Sequence, residues 1–194
     1  MLLAPWRYPL SRALHRNRSQ PYSRYLQLAT VDFQGLPANR TVVFRGFLEN
    51  SNQLQIITDA RSNKIAHIQA KPWAEICWYF SKSREQFRLF GKLILVTAAD
   101  VKPTLQLARQ RAWQNLSDSA RLQFSWPNPG EKRTANLEAF SSSDISAKEP
   151  VNNFCLLLLT PEKVDHLELK GEPQNRCLYL LQQDQTWSTQ PINP

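Results

Sequence analysis

Tyr25-Leu26-Gln27-Leu28-Ala29-Thr30-Val31, then Asp32-Phe33-Gln34-Gly35, then Asn39-Arg40-Thr41-Val42-Val43-Phe44-Arg45 read as a strand, a turn and a returning strand. Leu26, Leu28 and Thr30 alternate with Tyr25, Gln27, Ala29 and Val31, the period of two that sends successive side chains to opposite faces of a sheet. The returning strand is read over Asn39–Glu49, and a polar turn at Glu49-Asn50-Ser51-Asn52 leads into Gln53–Thr58, rich in β-branched residues. Trp73–Phe80, dense in aromatics, and Gln86–Thr97 follow on either side of Ser81-Lys82-Ser83-Arg84, so most of a sheet is assembled by residue 97.

Outward from this block, helical spacing marks Pro9–Asn17, a segment from a capping Ser62 to Ala70 stopped by Lys71-Pro72, Lys102–Asn115 and Asp118–Gln123. The Pro-, Ser- and Asn-rich stretch from Ser125 to Val151 is too long for a plain connection. Asn153–Thr160, Lys163–Leu169 and Asn175–Gln182 close the set as strands, with Trp187 on a last short segment. Strands joined by short polar turns make an antiparallel sheet, and such a sheet protects its edges best by closing. The expectation is a mainly β (α+β) chain folded as a barrel with peripheral helices, one domain over residues 1–194 without internal repeat.

Composition narrows the class. Hydrophobic residues at 42% and charged residues at 21% are ordinary for a folded globular chain. The run Cys155–Leu159 is far too short to span a bilayer, and the N-terminus lacks the basic-then-apolar order of a signal peptide, so a cytoplasmic location is expected. Cys77, Cys155 and Cys177 sit among apolar neighbours and read as reduced thiols, and His15, His67 and His166 are too scattered to suggest a metal site. A net charge of +8 asks for an anionic partner. Arg7, Arg12, Arg16, Arg18, Arg24, Arg40 and Arg45 are spaced rather than run together, and arginine is suited to bidentate phosphate binding.

Two segments stand out for chemistry. On an unbroken strand Arg40 and Arg45 would point to opposite faces, and two solvated arginines are the bland reading. Ile57-Thr58-Asp59-Ala60-Arg61-Ser62-Asn63-Lys64 runs from a strand end into a helix start, where free N–H groups and the helix dipole favour an anion, with Thr58, Arg61, Ser62 and Lys64 as further donors. The alternative there is a simple Ser62 cap beside solvated cations.

With Arg-Glu-Gln-Phe-Arg-Leu-Phe-Gly at 84–91, these segments resemble the pyridoxamine 5'-phosphate oxidase family of FMN-binding split barrels. That family has an Arg-x-Val-Leu-Leu-Lys strand, a Tyr-Thr strand end, a Ser-Arg-Lys helix start and an Arg-Gln-Val strand. Here they look like Arg40–Arg45, Ile57-Thr58, Ser62-Asn63-Lys64 and Glu85-Gln86-Phe87. The likeness is strongest over 24–97 and implies an antiparallel six-stranded split β-barrel with FMN as cofactor. Arg40, Ser62 and Lys64 would hold the phosphate, Thr41, Val42, Val43, Ile57 and Thr58 the ring and ribityl chain, and Gln86 would face the flavin. Asn175-Arg176-Cys177-Leu178-Tyr179 resembles the family's Asp-Arg-Phe-Leu-Tyr strand, so Arg176 would approach the flavin from the partner in a homodimer with FMN at the subunit interface.

The departures bear on substrate. The family's Arg-Lys pair is Asn63-Lys64 here, with Arg61 expected to compensate, and its Arg-x-His is Glu172-Pro173-Gln174, an anion where a phosphorylated substrate would want a cation. Arg45 stands at a substrate-binding lysine, and Ser125–Arg133 resembles a loop of the divergent Alr4036-type branch, whose Trp126 would cover the pocket. Arg45, Trp126 and Arg133 are therefore the candidate contacts to a small-molecule substrate, with no catalytic residue assigned. The implied activity is an oxidoreductase with hydride transfer to flavin N5, related to pyridoxamine 5'-phosphate oxidase but not assigned its B6 substrate. A non-catalytic FMN or haem carrier or sensor is the alternative. A single-stranded nucleic-acid binding protein ranks third, because the basic residues are dispersed.

Overall fold

The computed structural model describes residues 3–141 and 145–194. Among the described residues eight strands, all paired antiparallel, are β1 (Tyr25–Val31), β2 (Pro37–Val43), β3 (Leu54–Asp59), β4 (Trp73–Phe80), β5 (Glu85–Val96), β6 (Phe154–Glu168), β7 (Asn175–Leu181) and β8 (Trp187–Ile192). The helices are α1 (Arg7–Asn17), α2 (Asn63–Ala70), α3 (Pro103–Gln114) and α4 (Asp118–Leu122).

Hydrogen bonds run β2–β1–β4–β5–β6, and β3 lies along the first half of β6. Backbone bonds from Arg45 N to Gln55 O and from Gln55 N to Gly46 O, at 2.9 and 2.8 Å, then join the end of β2 to β3 and close the ring. The barrel therefore comprises β1 to β6, while β7 and β8 extend from the far half of β6. This closure explains why the second strand is shorter than Asn39–Glu49. Past Val43 the chain leaves β1, with Phe44 N on Arg24 O as the last bond, and crosses to β3 through Gly46 at φ +120°.

Asn153–Thr160 and Lys163–Leu169 form a single 15-residue strand, β6, with a register shift opposite Phe90 and Gly91 that accommodates Pro161 and Glu162. Proline has no N–H to give a ladder, so the irregularity falls there. Gly91 is required at the same place, because a Cβ would lie 2.0 Å from Thr160 O and 2.8 Å from Pro161 Cα. The run Phe154–Leu159 is buried on both faces: one faces the barrel interior, and the other is covered by α3 and its neighbours, where Trp113, Phe124 and Phe154 meet edge to face. A strand covered on both sides reads as a continuous apolar run rather than an alternation.

Helix α1 plugs one end of the barrel through Leu10 and Ala13, and Asn17 bonds Ser83 Oγ and the Lys82 amide. Part of the positive charge is internal. Arg109 donates to Phe154 O and Val151 O, and Arg121 to Leu116 O and Trp113 O, so these guanidiniums satisfy buried carbonyls rather than face a partner. No helix among the described residues is long and apolar enough to cross a membrane.

Candidate functional site

Where β2 leaves β1 and β3 runs into α2, the barrel wall opens into a cavity of about 690 Å3. Its walls are Arg40 to Val43 and Arg45 from the β2 end, Ile57 to Asp59 from β3, Arg61 and Lys64 from the turn into α2, and the segment from Gln123 to Thr134 with Phe140. The volume suits a small molecule or cofactor.

Two cations converge in it. The Arg40 guanidinium uses only Nη1 on protein acceptors, donating to Thr30 Oγ1 at 2.7 Å and Leu28 O at 3.2 Å, and no carboxylate among the described residues pairs with it. The Lys64 ammonium donates to Thr58 Oγ1 and Ser62 Oγ, each at 3.0 Å, which leaves one of its three donors. Burial first, then the nearby Arg40 charge, pushes the Lys64 pKa down, against a smaller upward pull from Asp59. Burial lowers that of Arg40 as well. Like charges held together and partly stripped of water are stabilised by an anion between them.

Ser62 occupies the N-cap position of α2, but its hydroxyl makes no cap hydrogen bond; it donates to Asp59 O and accepts from Lys64. The sequence expectation of a Ser62 cap is corrected accordingly. The helix N-terminus carries no side-chain cap and sits beside the two cations, as an anion site would.

Arg61 departs further from expectation. Its Nε and Nη2 grip Asp59 at 2.9 and 2.7 Å, Nη2 also donates to Phe124 O, and Nη1 donates to Trp126 O and Asn128 Oδ1. All five guanidinium N–H groups are thereby committed, so Arg61 lines the cavity without a donor to spare for a phosphate. It does not replace the missing arginine at Asn63.

The alternation that put Arg40 and Arg45 on opposite faces also fails, because β2 ends at Val43 and Arg45 follows the chain across to β3; both arginines line the same cavity. Arg45 is shared with a second cavity of about 680 Å3, between the 47–50 segment and α3, whose other walls include Arg24, Phe47, Leu105 and Ala108. Trp126 and Phe140 pack edge to face at 5.8 Å, and Arg133 lies over the Phe140 ring at 5.3 Å, so the Trp126 and Arg133 of the sequence reading do reach the cavity.

Gln86 and Arg176 do not. They flank Leu167 in one lateral row on the outer face of the sheet, Gln86 accepting from Cys77 Sγ and Arg176 held by both oxygens of Asp165 at 3.0 and 2.7 Å. Gln86, expected to face the flavin, therefore does not line this chain's own cavity. Glu172 lines neither cavity. Sequence reading missed Asp59 and Asn153, whose amide donates to Asp59 Oδ2 and Phe124 O. The i, i+2 spacing of Asp59 and Arg61 was the available signal for the first. For Asn153 there was none, since its role arises from β3–β6 pairing.

The walls that β2, β3 and the turn into α2 give the cavity lie within the part of the chain matched by the family model described as pyridoxamine 5'-phosphate oxidase, FMN-binding domain, over residues 3–97, and the Gln123–Thr134 segment lies beyond it. Pyridoxine/pyridoxamine 5'-phosphate oxidase 2 of Arabidopsis thaliana is 39% identical over 197 residues, covering 99% of this chain and 98% of the relative. The chain belongs to the pyridoxamine 5'-phosphate oxidase-related FMN-binding family. A solved structure of such a protein from Nostoc punctiforme is 60% identical over the whole of both chains, with a TM-score of 0.97. PhzG from Burkholderia lata, solved with tetrahydrophenazine-1-carboxylic acid, superposes with a TM-score of 0.81 at 16% identity, covering 100% of this chain and 94% of its own, and shares the fold. The architecture is thus the split barrel of this family, and FMN is the cofactor that the family description names. The donor set fits it: a terminal phosphate matches Arg40, Lys64 and the uncapped helix start, and an aromatic ring matches the Val42, Val43 and Ile57 wall.

Proposed function

We propose that this protein is an FMN-dependent oxidoreductase acting on a small anionic substrate. The observation that carries the reading is the convergence of Arg40 and Lys64 in one cavity, with no carboxylate among the described residues pairing with Arg40. Arg40 and Lys64 hold the phosphate, with Ser62 and Thr58 orienting the Lys64 ammonium. Thr41 to Val43 and Ile57 form the wall for the ring and ribityl chain, and Trp126 with the segment around it excludes water. When bound, FMN supplies an electron sink that accepts hydride at N5. Arg45, shared by both cavities, draws the substrate's negative charge to the end of the second cavity that abuts the first, and Arg133 adds a further cation to the lining of the first.

The same reading makes the working unit a homodimer. Tyr25, Trp73, Tyr79, Phe90 and Ile94 are exposed on the outer face of β1, β4 and β5, continuous with Gln86 and Arg176. An exposed apolar face of this kind marks an interaction surface, and a second copy seated there carries Gln86 and Arg176 toward its partner's cofactor. Free Cys77, Cys155 and Cys177 support a cytoplasmic location.

The test is the visible spectrum of the purified protein and its FMN affinity with and without Arg40→Ala. The variant should bind FMN about 10- to 150-fold more weakly, the value of a charge-assisted phosphate contact of about 1.5–3 kcal/mol. Bleaching of the yellow protein by an amine, alcohol or NAD(P)H donor supports turnover. Bound flavin inert to every donor would make the protein a carrier.

A further inference from the structure

The cavity is roofed by the Gln123–Thr134 segment, a short 3-10 turn over Gln123–Ser125 followed by irregular chain, in which Phe124 packs on Trp113 and Phe154. Its backbone is fixed by a cluster of three side chains from outside it. Asp59, at the end of β3, anchors Arg61 through both carboxylate oxygens, at 2.9 and 2.7 Å, and accepts from the Asn153 amide at 3.0 Å. From that anchor Arg61 reaches Phe124 O at 3.2 Å, Trp126 O at 2.9 Å and Asn128 Oδ1 at 3.3 Å, while Asn153 reaches Phe124 O at 2.8 Å. The arginine is the member whose five-donor fork alone can bind a carboxylate and three successive loop acceptors at once; a lysine with a single nitrogen cannot. Trp126, whose carbonyl is one of those acceptors, continues the roof through Phe140, with Arg133 lying over the Phe140 ring.

We infer that Arg61, set by Asp59 and Asn153, is a positioning residue that locks the 123–134 segment as a fixed roof over the cofactor cavity and thereby excludes solvent from what is bound there. This rests on the proposed FMN site only for the identity of the occupant. Removal of the latch leaves the phosphate cations Arg40 and Lys64 in place, so it loosens the grip on the flavin without altering the preference for its phosphate.

The test compares wild type, Arg61→Ala, Arg61→Lys and Asn153→Ala. Amide hydrogen exchange over 123–134 is followed in the ligand-free protein, affinities for FMN and riboflavin are measured in parallel, and iodide quenching of bound-flavin fluorescence reports solvent access. Both Arg61 variants should exchange at least about tenfold faster in this segment, lose affinity for FMN and riboflavin by a common factor and become more open to iodide. Asn153→Ala should do the same more weakly and serves if the Arg61 variants fold poorly. A collapse of the FMN-to-riboflavin ratio in Arg61→Ala that Arg61→Lys restores, with exchange unchanged, would make Arg61 a phosphate ligand and overturn the inference. If the wild type binds neither flavin, the proposed function fails while the exchange experiment still decides the latch.

Discussion

Lys64 offers the sharpest test of the cofactor site, because its substitution should move folding stability and ligand affinity in opposite directions. In the ligand-free protein the ammonium is largely buried beside Arg40, and both effects depress its pKa. A cation whose folded-state pKa lies below its unfolded value costs stability while protonated, and that cost fades as pH rises through the folded pKa. Lys64→Met keeps the chain length and removes the charge. The hydroxyls it leaves are not orphaned, since Thr58 Oγ1 and Ser62 Oγ already lie 3.3 Å apart and Ser62 also donates to Asp59 O. The melting temperature of the apoprotein at pH 7 should therefore hold or rise. FMN binding should weaken by about 1.5–3 kcal/mol, roughly 10- to 150-fold in Kd, while riboflavin, which lacks the phosphate, should bind nearly as before. In the wild type, FMN affinity should fall as pH rises through the Lys64 pKa, and that slope should vanish in the variant. Titration calorimetry with the two flavins across pH, alongside thermal melts, measures every term. A variant that is destabilised in the apo form and keeps its FMN-to-riboflavin preference would show that Lys64 is a structural residue and that the phosphate lies elsewhere.

Gly91→Ala should cost about 3 kcal/mol, because the new Cβ meets backbone rather than a flexible side chain, and the melting temperature should drop by roughly 6–12 °C. Burial pushes the Glu85 carboxyl up, but the His166 hydrogen bond at 3.0 Å, with Ser83 and Arg12, holds it net below the usual carboxylate range. The stability this contributes is present above the ordinary glutamate pKa and lost as pH falls through the depressed one. Glu85→Gln should thus flatten the acid limb of a melting-temperature profile below pH about 4.5, and an unchanged limb would remove Glu85 from the account. Tyr79→Glu, on the exposed face beside Gln86, should shift the protein to monomer in sedimentation and weaken FMN binding with it. A dimer of undiminished stability would place the interface on another surface.

The acid-sensitive cluster shows what a linear reading passes over. Glu85, His166 and Glu168 bring ligand-type atoms within 4.8 Å of one another, although the histidines look scattered along the chain. Arg12 meets Glu168 at 2.9 Å and Arg16 lies 3.8 Å from Glu85, so the group pins α1 to the barrel end. These contacts exist because β5 and β6 pair Glu85 with Glu168 and Phe87 with His166.

Local pattern alone determined the alternating strands, the helix after Thr58 and the apolar run of β6, since each follows from residues close in the chain whose periodicity records which face is buried. The Arg-x-Val-Val strand and the Thr58-to-Lys64 turn were legible as anion-binding candidates on the same ground. Which of those cations remain unpaired was decided only in three dimensions. Arg61 and Lys64 look alike in sequence, but Asp59, Asn153 and the carbonyls of Phe124 and Trp126 reach Arg61 through sheet pairing and a loop more than sixty residues away, and they exhaust its donors. Arg45 likewise joins Arg40 only because the barrel closes at that point, transferring the chain from β1 to β3 and cancelling the alternation that its own neighbours imply. A side chain's type sets what it can bind, whereas the long-range contacts that occupy it first set what it has left to bind with.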